Sequence, residues 1–221
     1  MTIEGVPFFC SWSGGKDSCL ALHRAIQQRG RPKRLLTMLN EDGMRSRSHG
    51  LTSGILTAQA ESVGIPLETR PTTWGDYEEN FLTVLEEFRK DGIEAGVFGD
   101  IDLEEHREWT ERVCASAHMK AFSPLWQLRR RDILDEFLGA GYKALIVSLK
   151  QNVLDESLLG RYLSAETIDE IEKTGADACG EGGEYHTLVV DGPIFSAPIR
   201  FVEKGIRSHD GHSFLELASE D

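Results

Sequence analysis

Apolar and polar positions follow one another in blocks along the chain. Val6-Pro7-Phe8-Phe9-Cys10 is a continuous apolar run, and Cys19-Leu20-Ala21-Leu22-His23 follows it after a glycine turn. A short apolar run bounded by turn residues reads as a strand buried on both faces, and the second segment as a helix beginning near Asp17. Arg34-Leu35-Leu36-Thr37-Met38-Leu39 predicts a second strand, Leu51 to Val63 a helix stopped by Gly64, and Leu67-Glu68-Thr69 a short strand. From Tyr77 to Lys90, Phe81, Leu82, Leu85 and Phe88 recur on one helical face, and Gly92 ends the pattern. Ala95-Gly96-Val97-Phe98 and Lys143-Ala144-Leu145-Ile146-Val147-Ser148 read as strands, with helices over Glu104 to His118 and Arg131 to Leu138 between them. This alternation predicts an α/β fold: an open parallel sheet with helices on both faces. Beyond residue 150 the rhythm changes to a helix over Ala165 to Thr174 and β-runs at 185–193, 199–204 and 213–217, with Asp210-Gly211 as a hairpin turn. The expected organisation is a domain over 1–149 followed by a smaller α+β part over 150–221, with a fraying tail at Ser219-Glu220-Asp221.

Composition narrows the class. With 221 residues, 40% hydrophobic and 28% charged, the chain has an ordinary globular make-up. No apolar run approaches the roughly 20 residues of a membrane span. The start, Met1-Thr2-Ile3-Glu4-Gly5, lacks a basic segment and an apolar core, so no signal peptide and a cytoplasmic location are expected. A formal net charge of −13 disfavours broad nucleic-acid binding. Arg129-Arg130-Arg131 is the dense basic cluster, read either as a solvated helix start or as a site for phosphate or an acidic partner. Cys10, Cys19, Cys114 and Cys179 form no C-x-x-C pair, and no His or Cys spacing suggests zinc.

Chemistry concentrates at two motifs. Ser13-Gly14-Gly15-Lys16-Asp17-Ser18 lies between the first strand and the first helix. Its glycines let backbone approach a ligand closely, and the helix start points free N–H groups and a positive dipole end at the turn. That makes a phosphate site, with Lys16 as a mobile charge and Ser13 and Ser18 as hydroxyl donors. It is not a Walker A loop, because Lys16 is followed by Asp and the glycine spacing is wrong. The second motif, Gly180-Glu181-Gly182-Gly183-Glu184, sets two carboxylates among three glycines before a β-run; carboxylates suit a hydroxyl, an amine, ammonium or a metal. Gly99-Asp100 and the loop bearing His49 follow predicted strands, where ligands of open sheets bind.

Ser13 to Ser18 resembles the PP-loop of the N-type ATP pyrophosphatases. Taken in order with Gly99-Asp100-Ile101, Ser123-Pro124-Leu125-Trp126 and Gly180 to Leu188, it resembles the diphthine–ammonia ligase family, also called the diphthamide synthase or ATP-binding domain 4 family, from about Phe8 to about Phe195. The resemblance implies a Rossmann-like PP-loop fold and ATP and Mg²⁺ as cofactors. It implies a ligase that adenylates the carboxylate of diphthine on elongation factor 2, releases pyrophosphate, and displaces AMP with ammonia. On it, Ser13, Gly14, Gly15, Lys16, Asp17, Ser18, His49 and Gly99 hold the nucleotide, and Asp17 is a candidate magnesium ligand. Lys16, Asp17, Asp100, Glu181 and Glu184 serve catalysis, and Trp126, Gly182, Gly183, Glu184 and His186 face the substrate. One departure stands out: the family's motif is often followed by an aromatic and then Glu-Thr, whereas here Tyr185 precedes His186-Thr187. Two other readings stay open: the same ATP chemistry on another acceptor, such as a small-molecule carboxylate or a nucleobase to be thiolated, and a nucleotide-binding sensor without turnover. A homodimer is compatible with all three.

Overall fold

In the computed structural model, residues 2–47 and 49–220 are described; Met1, Ser48 and Asp221, the last residue of the expected fraying tail, lie outside them. The elements run β1 (Pro7–Ser11), α1 (Lys16–Gln27), β2 (Arg31–Leu39), α2 (Ser53–Val63), β3 (Leu67–Pro71), α3 (Tyr77–Lys90), β4 (Ala95–Val97), α4 (Glu104–Ser116) and β5 (Lys120–Phe122). They continue with α5 (Arg130–Gly139), β6 (Lys143–Lys150), a single 3-10 turn (Glu156–Leu158), α6 (Ala165–Lys173), β7 (Tyr185–Asp191), β8 (Phe201–His209) and β9 (His212–Ser219).

The contacts divide the chain into two compact units. The first comprises Met1–Ser13, Asp17–Arg47 and Gly64–Leu128; the second comprises Gly14–Lys16, Ser48–Val63 and Arg129–Asp221. The first unit holds a five-stranded sheet in the order β3-β2-β1-β4-β5, every neighbouring pair parallel. β1 and β4 are inner strands, buried at every residue but Ser11, which is why their sequence is apolar in a run rather than alternating. Alternate residues still part to opposite faces. Phe9 meets Phe81, Phe88 and Phe98, with centroids 6.3, 5.5 and 5.8 Å away, in the core beneath α3 and α4. Cys10 points the other way and its thiol donates to the Ser18 carbonyl of α1.

Helix ends explain themselves locally. α3 carries Glu78 and Glu79 in its first turn and Arg89 and Lys90 in its last, matching the helix dipole. It closes with Gly92 at φ 79°, Gly92 N–H to Arg89 O and Ile93 N–H to Phe88 O, a Schellman end. α4, expected to reach His118, stops at Ser116; His118 takes the left-handed position at φ 55° that glycine fills after α3. β5 escaped the sequence reading because it is three residues long at a sheet edge, with Lys120 exposed.

The second unit holds an antiparallel sheet in the order β7-β6-β9-β8. β6, expected as the last strand of the parallel sheet, pairs antiparallel with β7 and β9 instead. A run buried on both faces looks the same in either kind of sheet, so only the partner decides. The contact clustering places Arg129 onward in the second unit, together with two earlier segments, Gly14–Lys16 and Ser48–Val63. Asp210 (φ 47°) and Gly211 (φ 73°) make the tight turn of the β8–β9 hairpin, and His209 pairs with His212 across it.

Candidate active site

In the first unit the strand order reverses between β1 and β4, the place where open α/β sheets bind ligands. Ser13 lies just beyond β1, and its hydroxyl is 3.1 Å from that of Ser18. Gly99 and Asp100 lie just beyond β4. A Cβ on Gly99 would sit 2.9 Å from both the Asp17 carbonyl carbon and the Ser18 nitrogen, so only glycine lets the β4 end pass the first turn of α1. Asp100 is 3.5 Å from His106, a pairing that no local motif signals. Trp126 follows β5. The Arg107 guanidinium lies over its ring at 5.0 Å, and its buried Nε1 has no acceptor among the described residues. The adjoining Gln127 N–H bonds the Ile101 carbonyl at 2.6 Å, placing this turn against the loop after β4.

In the second unit the glycine loop lies along the free edge of β7. Val189 N–H donates to the Gly14 carbonyl at 2.9 Å, and Lys16 N–H donates to Thr187 Oγ1 at 3.0 Å. Gln59, fully buried on α2, donates through Nε2 to both Gly14 O (2.9 Å) and Val189 O (2.7 Å). An edge strand whose polar groups would otherwise pair at random is thus covered by the loop and two side chains. The Lys16 ammonium is buried, donates to the Cys179 carbonyl and stands 5.6 Å from the Tyr185 ring centroid. His49 brings Nδ1 to 2.9 Å from the Thr187 carbonyl, and its ring lies against that of His186, centroids 4.5 Å apart and planes tilted by 31°. Burial first, then the charges of His49, Lys16 and His212, hold His186 well below the ordinary histidine value.

The acidic glycine motif is organised by a residue the sequence reading passed over. Asp177 accepts from Cys179 N–H (3.0 Å) and Glu181 N–H (2.8 Å) and pairs with Arg130 at 2.8 Å. Gly180 at φ 75° then turns the chain; a Cβ there would lie 2.8 Å from the Tyr185 carbonyl. Gly182 lies under the Glu184 carboxylate, whose buried Oε2 has no partner among the described residues. Gly183 N–H closes the turn on the Gly180 carbonyl at 3.0 Å. Two of the three consecutive arginines belong to this scaffold: Arg130 holds Asp177, and Arg131 ties α5 to α6 through Asp169 and Glu172, while Arg129 is exposed. Asp177 had a legible signal, an Asx turn two residues before Cys179-Gly180. Thr187 and Gln59 had none, since each acts through a distant segment.

All four cysteines are buried and unbridged. Burial pushes the Cys114 thiol up to about 12, and Cys179 Sγ donates to the Arg130 carbonyl at 3.5 Å. Among the described residues no three His, Cys, Asp or Glu side chains are arranged to hold a metal ion unaided. Magnesium does not need such a set, because one or two carboxylates and substrate phosphates suffice.

A family model described as the diphthamide synthase N-terminal domain matches residues 8–121, and one described as its C-terminal domain matches residues 129–220. The chain belongs to the diphthamide synthase family. The seam between the two matched regions contains the Leu128/Arg129 division of the structure. Among curated relatives, the diphthine–ammonia ligase of Mus musculus is 28% identical over 232 residues, covering 93% of this chain and 86% of the relative. That of Homo sapiens is 27% identical over 237 residues, with the same coverage. The diphthine–ammonia ligase of Schizosaccharomyces pombe is 27% identical over 220 residues, 89% of this chain but 36% of the relative. No helix among the described residues is long and apolar enough to cross a membrane.

Proposed function

We propose that this chain is an ATP-dependent ligase of the diphthine–ammonia ligase type, joining ammonia to a carboxylate carried by elongation factor 2. The observation that carries the reading is the intact Ser13–Ser18 loop, opening α1 beside the sheet's switch point in a chain matched by both domains of the family. The relatives' shared name, diphthine–ammonia ligase, supports diphthine as the acceptor and ammonia as the nitrogen source.

A substrate carboxylate oxygen attacks the α-phosphorus of ATP; the bond to the bridging oxygen breaks and pyrophosphate leaves with the electron pair. Ammonia then donates its lone pair to the acyl carbon, the bond to the AMP oxygen breaks, and the surplus proton on nitrogen passes to a base. Lys16 and the positive end of the α1 dipole stabilise charge growing on the leaving pyrophosphate. Ser13, Ser18, Gly99 and Asp100 line the nucleotide site. Glu181 and Glu184 orient the nitrogen and receive its proton, and Trp126 and His186 contact the acceptor. A magnesium ion held by phosphate oxygens and Asp17 would supply further charge neutralisation. The cysteines favour amidation over thiolation, because a catalytic thiol needs an accessible, lowered-pKa position and the Cys114 thiol is raised and buried.

The test is product analysis with ATP, Mg²⁺ and ammonium, with and without diphthine-bearing elongation factor 2. AMP and pyrophosphate should form only with that acceptor and should fall at least 10²-fold in Lys16→Ala, the scale of losing one transition-state donor. Formation of ADP, or tight ATP binding without turnover, would overturn the ligase.

A further inference from the structure

The first unit turns its exposed apolar side chains to one end. Among its described residues the exposed large hydrophobics are Met44, Trp74 and Leu103. They follow β2, β3 and β4 in turn. Those strands run parallel, so the three loops share the carboxyl edge of the sheet, the edge that carries Ser13, Gly99 and Asp100. The first two loops touch: a Cβ on Gly43 would lie 3.5 Å from the Pro71 ring at the end of β3.

Trp74 is 75% exposed, yet it is held in place. The Arg47 guanidinium lies over its ring at 4.6 Å and donates through Nε to the Thr72 carbonyl at 3.1 Å. Asp76 ties the turn together, accepting from Thr72 Oγ1 (2.8 Å), Thr73 N–H (2.6 Å) and Thr73 Oγ1 (2.7 Å). Tyr77 stacks behind Trp74 at 5.9 Å and on Phe81 of the core at 6.2 Å. Tyr77 also meets Trp109 of α4 at 5.8 Å, on the helix that Leu103 caps. A large ring fixed before a partner arrives loses little freedom on binding.

The flanking charges decide what the ring meets. Glu41 and Asp42 precede Met44, Glu104 and Glu105 follow Leu103, and all four are exposed, in a chain of net charge −13. Carboxylates on both flanks repel the phosphates of a nucleotide, a nucleic acid or an anionic membrane. They attract lysine and arginine, whose aliphatic stems cover apolar side chains while their heads reach the acids. A guanidinium or ammonium group also sits favourably on an indole face.

Resting on the reading of the chain as a ligase with a protein-borne acceptor, we propose that Met44, Trp74 and Leu103 form the docking surface for a basic segment of the acceptor polypeptide, with Trp74 its central contact.

The experiment is steady-state AMP formation by the full chain, with diphthine-bearing elongation factor 2 and ATP varied in turn. Trp74→Ala should raise the KM for the elongation factor about tenfold or more. Its kcat and its KM for ATP should stay within about twofold of wild type, and Trp74→Tyr should recover part of the loss. Glu105→Lys, which leaves every ring in place, should raise the same KM several-fold at low salt, and the wild-type KM should itself rise with salt. A KM for the elongation factor that ignores Trp74→Ala or salt would overturn the docking surface and leave the ligase standing. A rise in the KM for ATP instead would assign the ring to the nucleotide base and overturn it equally. No AMP from wild type with this acceptor would overturn both.

Discussion

Glycine carries more of this site than its charged residues suggest. At Gly99 the obstacle to a side chain is backbone, the Asp17 carbonyl carbon and Ser18 nitrogen at 2.9 Å, which cannot rotate aside. Gly99→Ala should therefore force β4 and α1 apart, lowering stability by about 1–3 kcal/mol and reducing AMP formation. Gly139, the last residue of α5, has nothing within 4 Å of an added Cβ. Gly139→Ala should be neutral or stabilising by up to about 1 kcal/mol, with turnover unchanged. Thermal denaturation and AMP release on the two variants check both statements; equal behaviour would refute the steric account of Gly99.

At the scale of elements, the connection from α6 into β7 behaves as a built turn rather than a slack acidic loop. Asp177 gathers two backbone N–H groups and the Arg130 guanidinium, and Glu181 and Glu184 are presented from the chain it fixes. Asp177→Ala should leave α6 intact, since its N-cap is Ser164 accepting from Thr167 N–H. The loss should fall on the amidation half-reaction. The KM for ammonium is expected to rise several-fold, while ATP–pyrophosphate exchange stays within about twofold of wild type. A parallel loss of exchange would place Asp177 in the nucleotide site instead.

For the molecule as a whole, acidity should act in two stages. His186 is held below its ordinary value of 6.5, so the unfolded chain binds its proton first, and stability falls as pH drops below about 6.5, at no more than about 1.4 kcal/mol per pH unit for this group. Asp76 and Glu78 shift the other way from their side: hydrogen bonds from Thr73 and Thr72, and from Arg112 and Trp109, hold both at about 2. Their contribution is present above the ordinary carboxylate range and is lost as pH falls from about 4 towards 2. Melting temperature against pH should show both declines, and His186→Phe should flatten the upper one alone.

Local pattern was enough for the α/β class, most helix and strand positions, the glycine turn between β1 and α1 and the acidic glycine motif. Each of these is local: a period of burial, a glycine where backbone must turn, a charge beside a helix start. Seen only in the fold were the antiparallel partners of β6, the membership of Gly14–Lys16 and α2 in the second unit, and the roles of Gln59 and Thr187. A buried strand carries the same apolar run whichever neighbour it pairs with, and a hydrogen bond between residues more than a hundred positions apart leaves no spacing to read. The meeting of the His49 and His186 rings, 137 positions apart in sequence, is of that second kind, because only tertiary structure brings the loop before α2 to the edge of β7.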